Sequence, residues 1–299
     1  MNIIQKIFRH GLHKSSEIAL NKIKRKTNYD LWRVRNAPLF SNPTPTELII
    51  IEAELSSLGV SVIDYTPNPA QYQDFKNELW FPVDYHGGTD SGVWDEKLLE
   101  HWIASNLLGL MDKNLPQTYV DVAAANSPWA QMLRERRAVD AYAIDLCTIG
   151  MSFQHLPYYI RQDATSTEFL DSTINSASLQ CAFEMFQGDD DTKLIHEMAR
   201  VLKPGGKLVI LPLYMHTHYC TYSSPDYFGK GYSPVTAKEY VRLDIFGIQS
   251  SRKYDAANLK KRILDPILAH GMKYSLRALR NKTEFGDNIY CHFILEVEK

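Results

Sequence analysis

The sequence predicts an α/β fold: a doubly wound, mostly parallel seven-stranded sheet with a C-terminal antiparallel hairpin and an N-terminal helical extension. Three observations predict it. First, apolar strand-like runs at 118–123, 141–145, 158–162, 172–178 and 207–213 alternate with helical stretches near 127–138, after Cys147, at 179–186 and at 190–202. Such alternation implies parallel strands joined by crossover helices that cover both faces of the sheet. Second, runs at 272–280 and 288–298 are separated only by a short polar loop, which reads as a hairpin. Third, residues 44–110 carry helical periodicity broken by turns.

Each element has a local reason. Thr44 and Glu47 form a capping box, with Pro45 at the first helical position and Gly59 after the end of a helix over 44–58. Val60 to Tyr65 is a short strand-like run, and Asn68-Pro69 can cap a helix carrying Tyr72, Phe75 and Leu79. Residues 80–92 read as irregular around Gly87, Gly88 and Gly92. A helix over 95–110 places Leu98, Leu99, Trp102, Ile103, Leu107 and Leu108 on its apolar side. His101, inside that apolar helix, reads as a packed, hydrogen-bonded histidine. Ser127 suits an N-cap, with Pro128 at the first position of the next helix. Leu194, Met198, Val201 and Leu202 recur at helical spacing until Lys203-Pro204-Gly205-Gly206 stops the helix. Residues 255–270 form a helix with a kink at Pro266.

The expected organisation is a basic amphipathic segment over 1–30, a helical extension or cap over 31–115, and an α/β domain over 116–299 with an insertion at 216–240. Residues 1–26 hold seven Lys/Arg against one acid, so the segment is +6 and the rest of the chain −8. Ile3, Ile4, Ile7, Phe8 and Leu12 fall at helical spacing there, which suits peripheral contact with an anionic membrane or a partner protein, or a solvated helix packed on the body. Composition is that of a soluble globular chain, and no run approaches a membrane span. Cys147, Cys181, Cys220 and Cys291 are widely spaced, which fits a reducing cytoplasm rather than a disulfide framework. The acidic body argues against nucleic acid as a partner. No GxGxxG follows the first strand, which disfavours a nicotinamide dehydrogenase. No acid–histidine cluster has metal-ligand spacing.

In an open parallel sheet the ligand lies beyond the carboxyl ends of the strands. The first strand, with Asp121, runs into Ala123-Ala124-Ala125, a small-residue loop feeding a helix start, where amide groups and the helix dipole favour an anionic or polar ligand. The second ends in Asp145, an acid placed to accept ribose hydroxyls. The third ends in Asp163-Ala164, the fourth near Asn175, and the fifth in Tyr214 to His218.

These features together resemble class I S-adenosylmethionine-dependent methyltransferases of the type 11 kind over about residues 118–213. Val120 to Ala125 stands where that family has an acid followed by glycines. Asp145 matches its ribose acid, Gln162-Asp163-Ala164 its adenine-side acid, and Glu184-Met185-Phe186 the segment after its fourth strand. Ala199 to Ile210, with its Lys203-Pro204-Gly205-Gly206 turn, is similar to the family's helix, turn and fifth strand. The resemblance implies a Rossmann-like methyltransferase with S-adenosyl-L-methionine as cofactor, held by Asp121, Ala123, Ala124, Ala125, Asp145, Asp163, Ala164 and Asn175. The departure is the loop without glycine. Alanine is expected to serve there only with its backbone at negative φ, because a Cβ disfavours the left-handed region.

Methyl transfer to a hydroxyl needs a base. His216 and His218, after the fifth strand, are the candidates, since imidazole titrates near neutral pH. Tyr85, His86, Tyr214, Tyr219 and Tyr222 are candidate substrate contacts, the last two in a long tyrosine-rich stretch without regular structure, of the kind that forms lids. The expected activity is O-methylation of a small molecule or a sugar hydroxyl, compatible with polysaccharide biosynthesis. The alternative is a non-catalytic scaffold or partner subunit with the same fold.

Overall fold

A computed structural model describes residues 34–299 apart from 79–80, 113–114, 138, 148–152 and 154. The basic segment 1–30 and most of the helix expected after Cys147 lie outside the described residues. In chain order the larger elements are α1 (Pro45–Ser57), β1 (Val62–Tyr65), α2 (Pro69–Glu78), α3 (Trp94–Leu108), β2 (Gln117–Val122), α4 (Trp129–Arg136), β3 (Val139–Asp145), β4 (Tyr159–Arg161) and β5 (Ile174–Gln180). There follow α5 (Asp190–Val201), β6 (Leu202–Leu213), β7 (Cys220–Ser223), β8 (Lys238–Val241), β9 (Ser251–Lys253), α6 (Ala256–Leu259), α7 (Asp265–Ala269), β10 (Lys273–Leu279) and β11 (Phe293–Glu298).

The main sheet has eight strands in the order β1-β10-β11-β6-β5-β2-β3-β4. Strands β4, β3, β2, β5 and β6 are parallel, and β10 and β11 form the expected antiparallel hairpin against β6. The eighth strand is β1, which pairs in parallel with β10 from Val62 opposite Leu276 to Tyr65 opposite Leu279. It is the strand-like run expected over Val60 to Tyr65, within the stretch expected to be a helical cap, and its place at the sheet edge comes from its pairing with β10. The chain order reverses between β2 and β5, so the switch point lies at the carboxyl end of β2.

Two compact units divide the chain, and the division differs from the expected one. One comprises Pro43–His218 and Lys253–Lys299 and holds the eight-stranded sheet. Helix α3 belongs to it and packs on β5 and β6, with Leu99, Ile103 and Ala104 fully buried. The other takes Tyr219–Arg252 and the described residues up to Asn42. The expected unstructured insertion at 216–240 therefore holds strands: β7 and β8 pair in parallel, Cys220 opposite Lys238. Its tyrosines pack among themselves and their neighbours, Tyr222 on Phe40 at 4.6 Å and Tyr227 on Tyr232 at 5.3 Å between ring centroids.

The capping box of α1 is present in both directions, Thr44 Oγ1 accepting from the Glu47 N–H and Glu47 accepting from the Thr44 N–H. Helix α4 begins one residue later than expected, at Trp129, whose N–H donates to Ser127 Oγ at 3.2 Å. The stretch expected to be a helix at 179–186 is the end of β5 plus a single 3-10 turn, Phe183–Met185. The kink expected at Pro266 takes the form of a π turn, Lys260–Leu264, between α6 and α7. Proline cannot donate back to the preceding turn, and the Arg262 carbonyl instead accepts from Thr192 Oγ1 at 3.0 Å. Among the described residues no helix is long and apolar enough to cross a membrane.

Candidate functional site

A cavity of about 360 Å³ lies at the carboxyl ends of β2 to β5, within the size range of small-molecule sites. Four connections line it: Ala123 and Ala125 after β2, Asp145 and Leu146 at the end of β3, Gln162 to Thr165 after β4, and Cys181, Ala182, Met185 and Phe186 after β5.

The loop after β2 contradicts the expectation of negative φ. Ala123 sits at φ 55 and Ala125 at φ 46, both in the left-handed region. The chain thus keeps the backbone path that glycine would give, with alanine in place of it, at a cost of roughly 1–2 kcal/mol per residue. What holds it there is hydrogen bonding. The Ala124 N–H donates to the Ile144 carbonyl at 3.1 Å, and the Ala125 N–H to Asp145 Oδ2 at 2.9 Å. Asp145 Oδ1 accepts from the Cys147 N–H at 3.0 Å. The carboxylate is thereby fixed in orientation, and each oxygen keeps a lone pair for a further donor. Asp163 shapes the neighbouring turn by accepting from the N–H and the hydroxyl of Thr165, at 2.8 and 2.7 Å.

Asp121 lies beneath the loop, 2 % exposed, and its Oδ2 has no partner among the described residues. Burial, reinforced by the Asp145 charge, pushes its carboxyl up to about 7. Beside it runs an aromatic cluster of Phe81, Tyr85, His101 and Trp129, with the Phe81 and Trp129 rings stacked at 6.2 Å. His101 Nε2 and the Tyr85 hydroxyl are 2.7 Å apart, and burial holds the imidazole neutral by pushing its pKa well below the ordinary value. His101 is the packed histidine that its apolar helix foretold.

Of the expected cofactor residues, Ala123, Ala125, Asp145, Asp163 and Ala164 line the cavity together. Ala124 is turned into the core. Asn175 is a correction. Strand β5 runs two residues further than expected, so Asn175 stands at its amino end, where its side-chain oxygen accepts from the Thr118 N–H and from Lys203 Nζ. The residue at the carboxyl end is Cys181. Sequence reasoning missed Cys181 and Ala182 for that reason, although the neighbouring Glu184-Met185-Phe186 had been singled out.

Of the expected substrate and base residues, Tyr214 contacts Cys181, its hydroxyl 3.3 Å from Sγ. Tyr85 is buried in the aromatic cluster, and His86 is exposed on a 3-10 turn at φ 47. His216 is buried, its N–H donating to the Tyr254 carbonyl at 2.8 Å and its ring 4.3 Å from that of His218. Neither histidine is among the described residues that line the cavity. Tyr219 and Tyr222 belong to the other compact unit.

Residues 118–210, from β2 into β6, match the family model described as a methyltransferase domain. The match shows that this stretch is similar to a methyltransferase domain. No curated protein matches the chain. Among solved structures, an S-adenosylmethionine-dependent methyltransferase from Mesorhizobium loti aligns at 14 % identity over 67 % of this chain and 98 % of its own, with a TM-score of 0.44. The 1,6-didemethyltoxoflavin-N1-methyltransferase of Burkholderia thailandensis aligns at 12 % identity over 88 % and 93 %, with a TM-score of 0.43.

S-adenosylmethionine is the cofactor that the resemblance implies, and the residues present fit it. The orphaned, buried Asp121 oxygen needs a donor or a cation, Asp145 is oriented for hydroxyls, and the left-handed alanines let a ligand approach the loop backbone. The bound molecule supplies an activated methyl group. The chain's own part is to orient it and to align a nucleophile.

Proposed function

We propose that this protein transfers the methyl group of S-adenosylmethionine to a small-molecule acceptor. The observation that carries the reading is the convergence of Ala125, Asp145 and Asp163 on one cavity at the switch point of the sheet. Asp145 receives the ribose hydroxyls, Asp163 and Ala164 bound the adenine, and Asp121 serves the cationic part of the ligand. The acceptor enters at the β5 end of the cavity, where Cys181 and Tyr214 meet. A hydroxyl acceptor needs a base at the reacting centre. His216 and His218, the residues expected to act as that base for a sugar or other hydroxyl, lie off the described cavity lining, and this weakens the O-methylation reading relative to transfer onto a more basic nucleophile.

Calorimetric titration of S-adenosylmethionine into the full-length protein tests the reading. Saturable binding, with S-adenosylhomocysteine bound at comparable affinity, is the expected result. Absence of heat under conditions where the protein is folded would leave a scaffold with a methyltransferase fold.

A further inference from the structure

The β5 end of the cavity adjoins a group of polar side chains that cofactor binding does not use. Cys181, which lines the cavity, is held at φ 54, and its N–H donates to the Leu211 carbonyl at 2.9 Å. Its Sγ lies 3.6 Å from Glu184 Oε1, 3.3 Å from the Tyr214 hydroxyl and 3.8 Å from the Tyr290 hydroxyl. The two tyrosine rings stack at 6.3 Å with an interplanar angle of 20°. Behind them the Tyr290 hydroxyl donates to Glu100 Oε1 at 3.5 Å, and Lys97 Nζ donates to the same oxygen at 2.8 Å.

Glu184 stands out in this group. It is 7 % exposed, its Oε1 accepts from the Cys181 thiol, and its Oε2 is buried with no partner among the described residues. The neighbouring carboxylates are provided for. Glu96 accepts from the Tyr290 and Cys291 N–H groups at 3.0 and 3.1 Å, and Glu100 holds Lys97. The other nearby cation, Lys253, lies with its Nζ 3.6 Å from the centroid of the Tyr214 ring. A buried carboxylate oxygen left without a donor is costly unless a ligand supplies one.

We propose that Cys181, Glu184, Tyr214 and Tyr290 form the acceptor end of the site, and that the acceptor is the amino group of a small molecule docked on the free oxygen of Glu184. The proposal rests on the methyl-transfer reading above. The stacked tyrosine rings supply an apolar wall that also suits a cation. Cys181 and Tyr214 are poor bases for a hydroxyl: burial first, and then the charges of Glu184 and Glu100, push the Cys181 thiol up to about 12. Burial moves the Tyr214 phenol in the same direction. Both stay neutral, as donors and apolar contacts. An amine needs no strong base. Its ammonium form docks on Glu184 and releases one proton to that carboxylate and on to solvent. The nitrogen lone pair then forms the new bond to carbon as the carbon–sulfur bond breaks, and sulfur keeps that electron pair. The products are the methylated ammonium and S-adenosylhomocysteine, with one proton released.

The test uses the full-length protein and assays S-adenosylhomocysteine release with a matched set of small primary amines and alcohols of the same skeletons, benzylamine and benzyl alcohol among them. Turnover confined to amines is expected, with kcat/KM for the best amine reduced about tenfold or more in Glu184→Gln and cofactor affinity held within about twofold. Tyr290→Phe, which leaves the carboxylate in place, is expected to lower the same constant by a few-fold with cofactor affinity unchanged, and it serves if Glu184→Gln fails to fold. Turnover confined to alcohols, or amine turnover that neither variant lowers, overturns the proposal. So does a protein that binds the cofactor and methylates no amine. A protein that does not bind the cofactor overturns the reading beneath it instead, and the calorimetric titration separates the two failures.

Discussion

The two ends of the parallel sheet are built from similar short loops to opposite effect. At the amino end, Asn175 accepts from the Thr118 N–H and Lys203, the Gly205 N–H donates to the Lys299 carbonyl, and the Lys299 N–H donates to that of Gly206. Residues 203–206 leave the ladder there, with Ile174 opposite Leu202 and Ser176 opposite Lys207. Glycines occupy two of the demanding positions, Gly205 at φ 74 and Gly206, where a Cβ would lie 2.8 Å from the Lys203 carbonyl oxygen; Ser172, just before β5, is the one non-glycine there at positive φ among the described residues, at 55. At the carboxyl end the local rules are broken. Two alanines and a cysteine sit at positive φ, and Asp121 and Glu184 each bury an oxygen with no partner among the described residues. Strain and unmet polar groups concentrate where a ligand can relieve them. In the proposed function, the amino end serves stability and the carboxyl end binding.

Perturbing each end tests that contrast. The largest loss of stability is expected at Gly206→Ala, where the added methyl meets backbone rather than a yielding side chain. A loss of about 3 kcal/mol is expected in urea unfolding, with cofactor affinity of the remaining folded protein unchanged. Asp145→Ala should do the reverse. It removes the acceptor for the Ala125 and Cys147 N–H groups as well as for the ligand, and calorimetry should show S-adenosylmethionine binding weakened about 100-fold. A variant that bound as tightly as the wild type would remove Asp145 from the site.

Asp121 makes the contrast depend on pH. Its folded carboxyl is raised to about 7 from an ordinary value near 3.8, so between those values the folded state binds more protons than the unfolded one. Stability contributed by the neutral acid is therefore present at low pH and lost as pH rises through 7. Asp121→Asn should flatten this slope, gaining up to about 4 kcal/mol over wild type at pH 8 in the ligand-free protein, while weakening cofactor binding. Parallel stability–pH curves for the two proteins would show that Asp121 is not the group responsible. The smallest effect is expected at Ala125→Gly. Removing the Cβ relieves left-handed strain but loosens the unfolded chain, leaving a net gain below about 1 kcal/mol in thermal or urea unfolding. A loss of stability would mean that the Ala125 methyl is needed for packing.

Where local physics dictates an element, the amino-acid pattern alone was enough to place it. Strand–helix alternation gave the parallel sheet and hairpin, Thr44 and Glu47 started α1, and Lys203-Pro204-Gly205-Gly206 marked the turn into β6. Asp145 and Asp163 reached the cavity because an acid that closes a strand is displayed at its end whatever surrounds it. What lay beyond the sequence depended on partners far along the chain. The positive φ of Ala125 is set by Asp145, and the place of β1 by β10. An offset of two residues at the start of β5 moved Asn175 to one end of the sheet and brought Cys181 to the other, beside Tyr290, 109 positions on. Side-chain periodicity fixes which face a residue occupies but not where a strand stops, and only the packed sheet decides that.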